Sequence, residues 1–270
     1  MRSFERLSTA NSPLLPFSYD TKAPLDPIER SLGAHAGLLW THVTFRGGSN
    51  RKVPGVYVIA EEHANRTPGL LVQHGAGTSK YARFVTACMD VLCHAGFACL
   101  ALDAIGHGER EDAIKPEDEL GWRKLRGSPN YVTANIVDFR RGLDYLASRP
   151  EIDSARLAYI GSSMGAMQGA ILCGVDQRPQ AVILRCGGAH TGALVRDEAL
   201  DHLKYVSRIA PRPLLMLNNT EDEVFGRDAV LRLYEAAGQP KELRWFPGGH
   251  RDNHELHAAE CLEWLRRWVS

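Results

Sequence analysis

The stretch LAYIGSSMGAMQGA, residues 157–170, decides how the chain is read. Apolar, β-type residues run up to Gly161, two serines follow, and a helix-like segment begins at Met164. A serine on a sharp strand-to-helix turn has its Oγ pushed out above the sheet. The residues two before and two after it must be small, because strand and helix nearly touch there. Centred on Ser163, both positions are glycine, Gly161 and Gly165. Centred on Ser162 they are Ile160 and Met164, whose side chains would collide. The spacing selects Ser163 as the candidate nucleophile and leaves Ser162 as a small filler of the turn.

Around this turn the chain alternates. Apolar runs with strand character lie at 38–45, 53–61, 69–73, 97–103, 156–161, 181–186, 213–218 and 242–246. Helical spacing is expected over 79–95, 131–149, 164–175, 226–237 and 253–269. In 131–149, Val132, Ile136, Phe139, Leu143 and Leu146 recur at three- and four-residue steps and form one face. Continuous apolar runs belong to strands buried on both faces. Their alternation with helices predicts an α/β fold: a mostly parallel eight-stranded sheet flanked by helices. Ligands of such sheets bind at the carboxyl ends of the strands. Residues 1–37, with Pro13, Pro16, Pro24 and Pro27, are expected to form an N-terminal arm, and 38–270 a single domain.

A serine hydroxyl is a poor nucleophile until a base takes its proton. In this topology the acid and then the histidine should follow the serine along the chain. PLLMLNNTEDEVFG, residues 213–226, ends a strand in an acidic turn. Asp222 is the preferred acid because it stands just before Val224–Phe225, with Glu221 and Glu223 as alternatives. His250 follows the last strand and the flexible PGG of 247–249. His254 and His257 fall in the final helix, on an expected surface face. His250, Asp252 and His254 could be read as metal ligands, but HExxH is absent and no third ligand is obvious, so no metal is expected.

Acyl transfer builds charge on a carbonyl oxygen, which needs prepositioned N–H donors. Met164 offers one at a helix start. The HGAG loop of 74–77 offers the second, from Ala76 or next from Gly77. His74 and Asp103, both at strand ends before the elbow, are read as structural. The pocket wall is drawn from Tyr81, Trp122, His190, Tyr205 and Val224, all near expected strand ends.

These motifs resemble the α/β-hydrolase superfamily: HGAG after the third strand, DAIGHG after the fourth, GSSMG after the fifth, an acid after the seventh and GGH after the eighth. The resemblance covers about residues 38–269 and is nearest to carboxylesterases and dienelactone-hydrolase-like members, with serine in place of cysteine. It implies the α/β-hydrolase fold. Where the family often has His-Gly before the acid turn, this chain has Asn218-Asn219; asparagine tolerates positive φ, so the turn is retained. The short segment between Cys186 and Pro211 implies a minimal lid, and 109–130 is a second irregular insertion.

The expected activity is hydrolysis of carboxylic esters of short or medium acyl chain through Ser163, His250 and Asp222, without a cofactor. A carbon–carbon bond hydrolase, a peptidase and a non-catalytic binder are the alternatives on the same fold. The expected partner is a small-molecule ester. Thirty-two basic residues balance thirty-two acidic ones, which argues against nucleic-acid binding through a strongly basic surface. No apolar run reaches the roughly 20 residues that span a bilayer, so no membrane partner is expected. The six cysteines show no CxxC spacing and read as buried, reduced residues of a cytoplasmic protein. The sequence carries no signal for an oligomeric state.

Overall fold

The computed structural model describes residues 17–48, 50–113, 129–189 and 200–269. Nine strands form one sheet: β1 (Ile28–His35), β2 (Leu38–Arg46), β3 (Lys52–Ala60), β4 (Thr67–Gln73), β5 (Ala98–Leu102), β6 (Ile152–Ser162), β7 (Pro179–Arg185), β8 (Leu214–Asn219) and β9 (Lys241–Phe246). Their order is β1-β2-β3-β5-β4-β6-β7-β8-β9. The β1/β2, β2/β3 and β3/β5 pairings are antiparallel and all others parallel.

Alternate residues of the parallel strands feed two cores, which is why these strands read as unbroken apolar runs. Tyr159, Val182 and Met216 face one side, with Ile136 and Phe139 of α2 (Pro129–Ser148), Leu172 of α3 (Met164–Val175) and Leu233 of α5 (Arg227–Ala236). Ile160, Ile183 and Leu215 face the other, with Met89 of α1 (Arg83–His94) and Trp264 of α6 (His254–Leu265). A short helix, α4 (His202–Val206), completes the first layer. Each fully buried aliphatic or aromatic side chain contributes roughly 1.5–3 kcal/mol.

The main departure from expectation is at the start of the chain. Ile28–His35, assigned to the arm, form β1 and bring the strand count to nine instead of eight. All eight residues of β1 are exposed, so no burial pattern marks the strand. Its pairing with β2 defines it, and Glu29 accepts from Tyr145 Oη at 2.7 Å and from Arg149 NH1 at 2.6 Å. Before β1, Phe17 is fully buried and its ring meets Tyr205 edge-on at 5.8 Å. No described helix is long and apolar enough to cross a membrane.

Candidate active site

β6 delivers Ser162 and Ser163 to the carboxyl edge of the sheet, and α3 begins at the next residue. Ser163 adopts φ +54° and ψ −112°, a conformation that non-glycine residues rarely take. A side chain on Gly161 would overlap the Gly165 carbonyl, and one on Gly165 would lie 2.8 Å from the Gln73 carbonyl oxygen of β4. The elbow thus requires glycine at both positions, as the centring on Ser163 demands.

Ser163 Oγ lies 2.9 Å from His250 Nε2. His250 Nδ1 donates to Asp222, at 2.8 Å from Oδ2 and 3.0 Å from Oδ1. The Val224 and Phe225 N–H groups each donate to Asp222 Oδ1 at 2.8 Å. Burial opposes a charge on Asp222, but the bonds from His250, Phe225 and Val224 outweigh it and hold the carboxyl below the usual carboxylate range. Of the alternatives, Glu223 accepts the backbone N–H of His250 at 2.9 Å rather than touching the imidazole. Glu221 contributes a backbone bond, its N–H donating to the Gly248 carbonyl at 3.0 Å.

Met164 and Ala76 both line the cavity above Ser163. As the first residue of α3, Met164 has an N–H with no intrahelical acceptor, at the positive end of the helix dipole. The Ala76 loop is fixed from behind. His74 Nδ1–H donates to the Gly75 carbonyl at 2.8 Å, and Nε2 accepts the Ala104 N–H at 3.1 Å. Burial lowers the His74 pKa to about 4, so the imidazole stays neutral, with both its nitrogens engaged by backbone groups. Asp103 takes the Lys80 N–H at 2.9 Å and Lys80 Nζ at 2.5 Å. Both residues brace the loop, matching the structural reading.

Cys186 Sγ lies within 4.8 Å of ligand atoms on Asp222 and His250. Burial pushes its pKa up to about 12, so it remains a thiol, and the other two groups are engaged with each other. All six cysteines are free and buried.

The cavity measures about 980 Å³. Val224 lines it and is exposed. Trp122 and His190 lie outside the described residues. Tyr205 does not line the cavity: it is buried, and α4 packs its backbone and Cβ on Gly174 of α3. Tyr81 is exposed beneath Lys80 Nζ, 5.0 Å from its ring centre, and also stands away from the cavity. The wall comes instead from Phe84, Met167, Gln168, Ile171 and Phe225. Three of these follow Ser163 on α3, a helical-spacing signal already present in the elbow stretch. Gln168 is buried, and its Oε1 has no hydrogen-bond partner among the described residues.

Two further readings change. Asn218 and Asn219 are not among the positive-φ residues. Both end β8, and their side chains donate to the carbonyls of Gly187 (3.1 Å) and Gly249 (2.6 Å). They hold the turn by hydrogen bonds rather than by left-handed backbone. His257 is not on the surface but fully buried, because α6 turns that face onto β7.

Residues 70–269 match the sequence profile of the alpha/beta hydrolase family. The chain belongs to that family. An uncharacterized protein of Mycobacterium tuberculosis is 32% identical to this alpha/beta hydrolase over 163 residues, 55% of this chain and 58% of the relative. The match thus spans a little over half of that relative's length. A cold-adapted esterase from an Arctic intertidal metagenomic library shares the fold, with a TM-score of 0.74, 21% identity and coverage of 94% of this chain and 100% of the other. So does an acetyl xylan esterase from Paenibacillus sp. R4, at TM-score 0.76, 22% identity and coverage of 91% and 90%.

Proposed function

We propose that this alpha/beta hydrolase is a serine esterase that cleaves small-molecule carboxylic esters of short or medium acyl chain. The observation that carries the reading is the unbroken chain from Ser163 Oγ through His250 to Asp222, at 2.9 and 2.8 Å, beside the open N-terminus of α3. His250 Nε2 takes the Ser163 proton as Oγ attacks the ester carbonyl carbon. The carbonyl oxygen becomes an oxyanion that accepts the Met164 and Ala76 N–H groups, and each such donor is worth roughly 3–4 kcal/mol. Asp222 holds Nδ1–H and stabilises the imidazolium. Collapse of the tetrahedral intermediate breaks the ester C–O bond, and Nε2–H protonates the departing alcohol. Water then attacks the acyl-serine with His250 again as base, releasing the acid and restoring the Ser163 hydroxyl.

The esterases that share the fold support this substrate class. The acetyl group named for one of them agrees with a small acyl chain. Six free, buried thiols support a reducing, cytoplasmic setting. A p-nitrophenyl ester series of increasing acyl length, with Ser163→Ala as blank, tests the proposal. Turnover should peak at short or medium chains and vanish in the blank. A preference for long-chain triglycerides removes the chain-length assignment, and no fluorophosphonate labelling of Ser163 removes the enzyme.

A further inference from the structure

We infer that Arg185 is a positioning residue that locks the nucleophile elbow to the histidine loop. The inference rests on the serine-esterase reading of Ser163 and His250. Arg185 ends β7 and is 2% exposed. Its NH1 donates to Ser162 Oγ at 2.9 Å, its Nε to His257 Nδ1 at 2.9 Å, and its NH2 to the Asp252 carbonyl at 2.5 Å. Its own carbonyl accepts the Ser163 N–H at 2.9 Å. The guanidinium lies 4.8 Å over the Phe84 ring of α1. One residue thus grips both serines of the elbow, the loop that carries His250, and the helix that follows.

The loop is stiffened from this anchor. Asp252 Oδ2 accepts the Gly249 N–H at 2.7 Å, and the Asp252 N–H donates to the Gly249 carbonyl at 3.2 Å, so His250 sits inside a closed turn. That turn is attached at Asp252 to Arg185 and at Gly249 to Asn219. Nucleophile and base meet in the 2.9 Å hydrogen bond from Ser163 to His250, across 87 residues of sequence. The Arg185 side chain bonds to Ser162, next to the nucleophile, and to the Asp252 carbonyl, two residues after the base.

The choice of arginine is informative. Among the described residues no carboxylate comes within salt-bridge distance of Arg185, and its acceptors are a hydroxyl, an imidazole nitrogen and a carbonyl. A buried cation without a carboxylate is a costly way to gain stability, and apolar packing would serve better. What only a guanidinium supplies is a rigid planar fork, with donors aimed in three directions at once. Lysine has a single point of donation and cannot reach all three. His257 is suited to its role: burial and the nearby Arg185 charge lower its pKa to about 3, so Nδ1 stays an acceptor. Ser162 then has a chemical task as the elbow-side acceptor, beyond being small.

The test compares wild type with Arg185→Lys, Ser162→Ala and the double variant. It measures kcat and KM on a p-nitrophenyl ester, active-site concentration by burst titration, and thermal melting. A misplacement of about 1 Å between reacting groups costs roughly 100-fold. Arg185→Lys should therefore lower kcat per titrated site by about 30- to 100-fold with KM changed by less than about threefold. Ser162→Ala should lose about three- to tenfold, and the double variant should be no worse than Arg185→Lys, because the two share one bond. Where Arg185→Lys does not fold, Ser162→Ala and His257→Gln carry the same test.

A folded Arg185→Lys enzyme with kcat per site within about twofold of wild type overturns the inference. So does a loss seen only as fewer active sites, which marks a role in stability alone. Where those two substitute for it, unchanged kcat in both Ser162→Ala and His257→Gln does the same. A wild-type chain that neither titrates nor turns over esters removes the triad reading and this one with it. Active wild type with unchanged variants removes this one alone.

Discussion

Two of the loops at the carboxyl edge of the sheet carry groups that would do chemistry, and they are fastened differently. The loop after β4, His74–Lys80, is held by a buried ion pair between Lys80 and Asp103 and by the His74 imidazole. The loop after β9, Pro247–Asn253, is held by many directional hydrogen bonds: its carbonyls accept from the Arg185 guanidinium and the side-chain amides of Asn219 and Asn253, and its N–H groups donate to Glu223 and Asp252. The first loop needs only to present backbone N–H groups, which are rigid once the backbone is pinned. The second must aim one imidazole at two partners simultaneously. Several directional bonds suit that task better than one strong, weakly directional charge pair.

The largest effects should come from the imidazole that the β9 loop aims and from its two partners. Ser163→Ala and His250→Ala should each lower kcat by about 10³- to 10⁶-fold without lowering the melting temperature appreciably, read by steady-state kinetics and calorimetry. If Ser162→Ala inactivates while Ser163→Ala does not, the elbow is centred one residue early. Asp222→Asn should follow at up to about 10⁴-fold. Glu223→Gln should cost far less, since it retains an oxygen acceptor for the His250 N–H. A larger loss at Glu223 than at Asp222 would reassign the orienting acid.

The pinned loop should respond in stability first. Asp103→Ala leaves Lys80 buried with the half-exposed Glu109, at 2.7 Å, as its remaining ion-pair partner among the described residues. It should destabilise the fold by about 3 kcal/mol in urea titration, a loss typical of a broken buried pair. A variant that melts like wild type yet loses turnover would reverse the contrast between the loops.

The smallest effect is alkaline. Burial raises the thiols of Cys173 and Cys186 from 9.0 to about 12. The folded state keeps them neutral while the unfolded chain ionises them above about pH 8.5. Their contribution is complete below that pH and is lost as pH rises towards 12. Melting temperature should fall across this window. Cys186→Ala removes one of these raised thiols and should remove part of the slope, whereas a surface substitution should not.

The sequence by itself determined what consecutive residues can settle. Glycine at 161 and 165 selects Ser163 because the clash is local to one turn. The order of elbow, Asp222 and His250 follows from strands whose burial on both faces makes them unbroken apolar runs. Other features were decided only by the tertiary structure. β1 has no burial pattern and exists through pairing with β2. Tyr205 looked like a wall residue, but α4 directs it into the core behind α3. His257 carries no periodic signal that distinguishes a surface histidine from one buried against a guanidinium. Arg185 reads as one polar residue closing an apolar strand. Its partners Ser162, Asp252 and His257 stand 23, 67 and 72 residues away, brought together only when β6, β7 and α6 pack side by side. Local sterics are written into neighbouring residues, whereas a contact between distant ones depends on which elements the folded sheet makes adjacent.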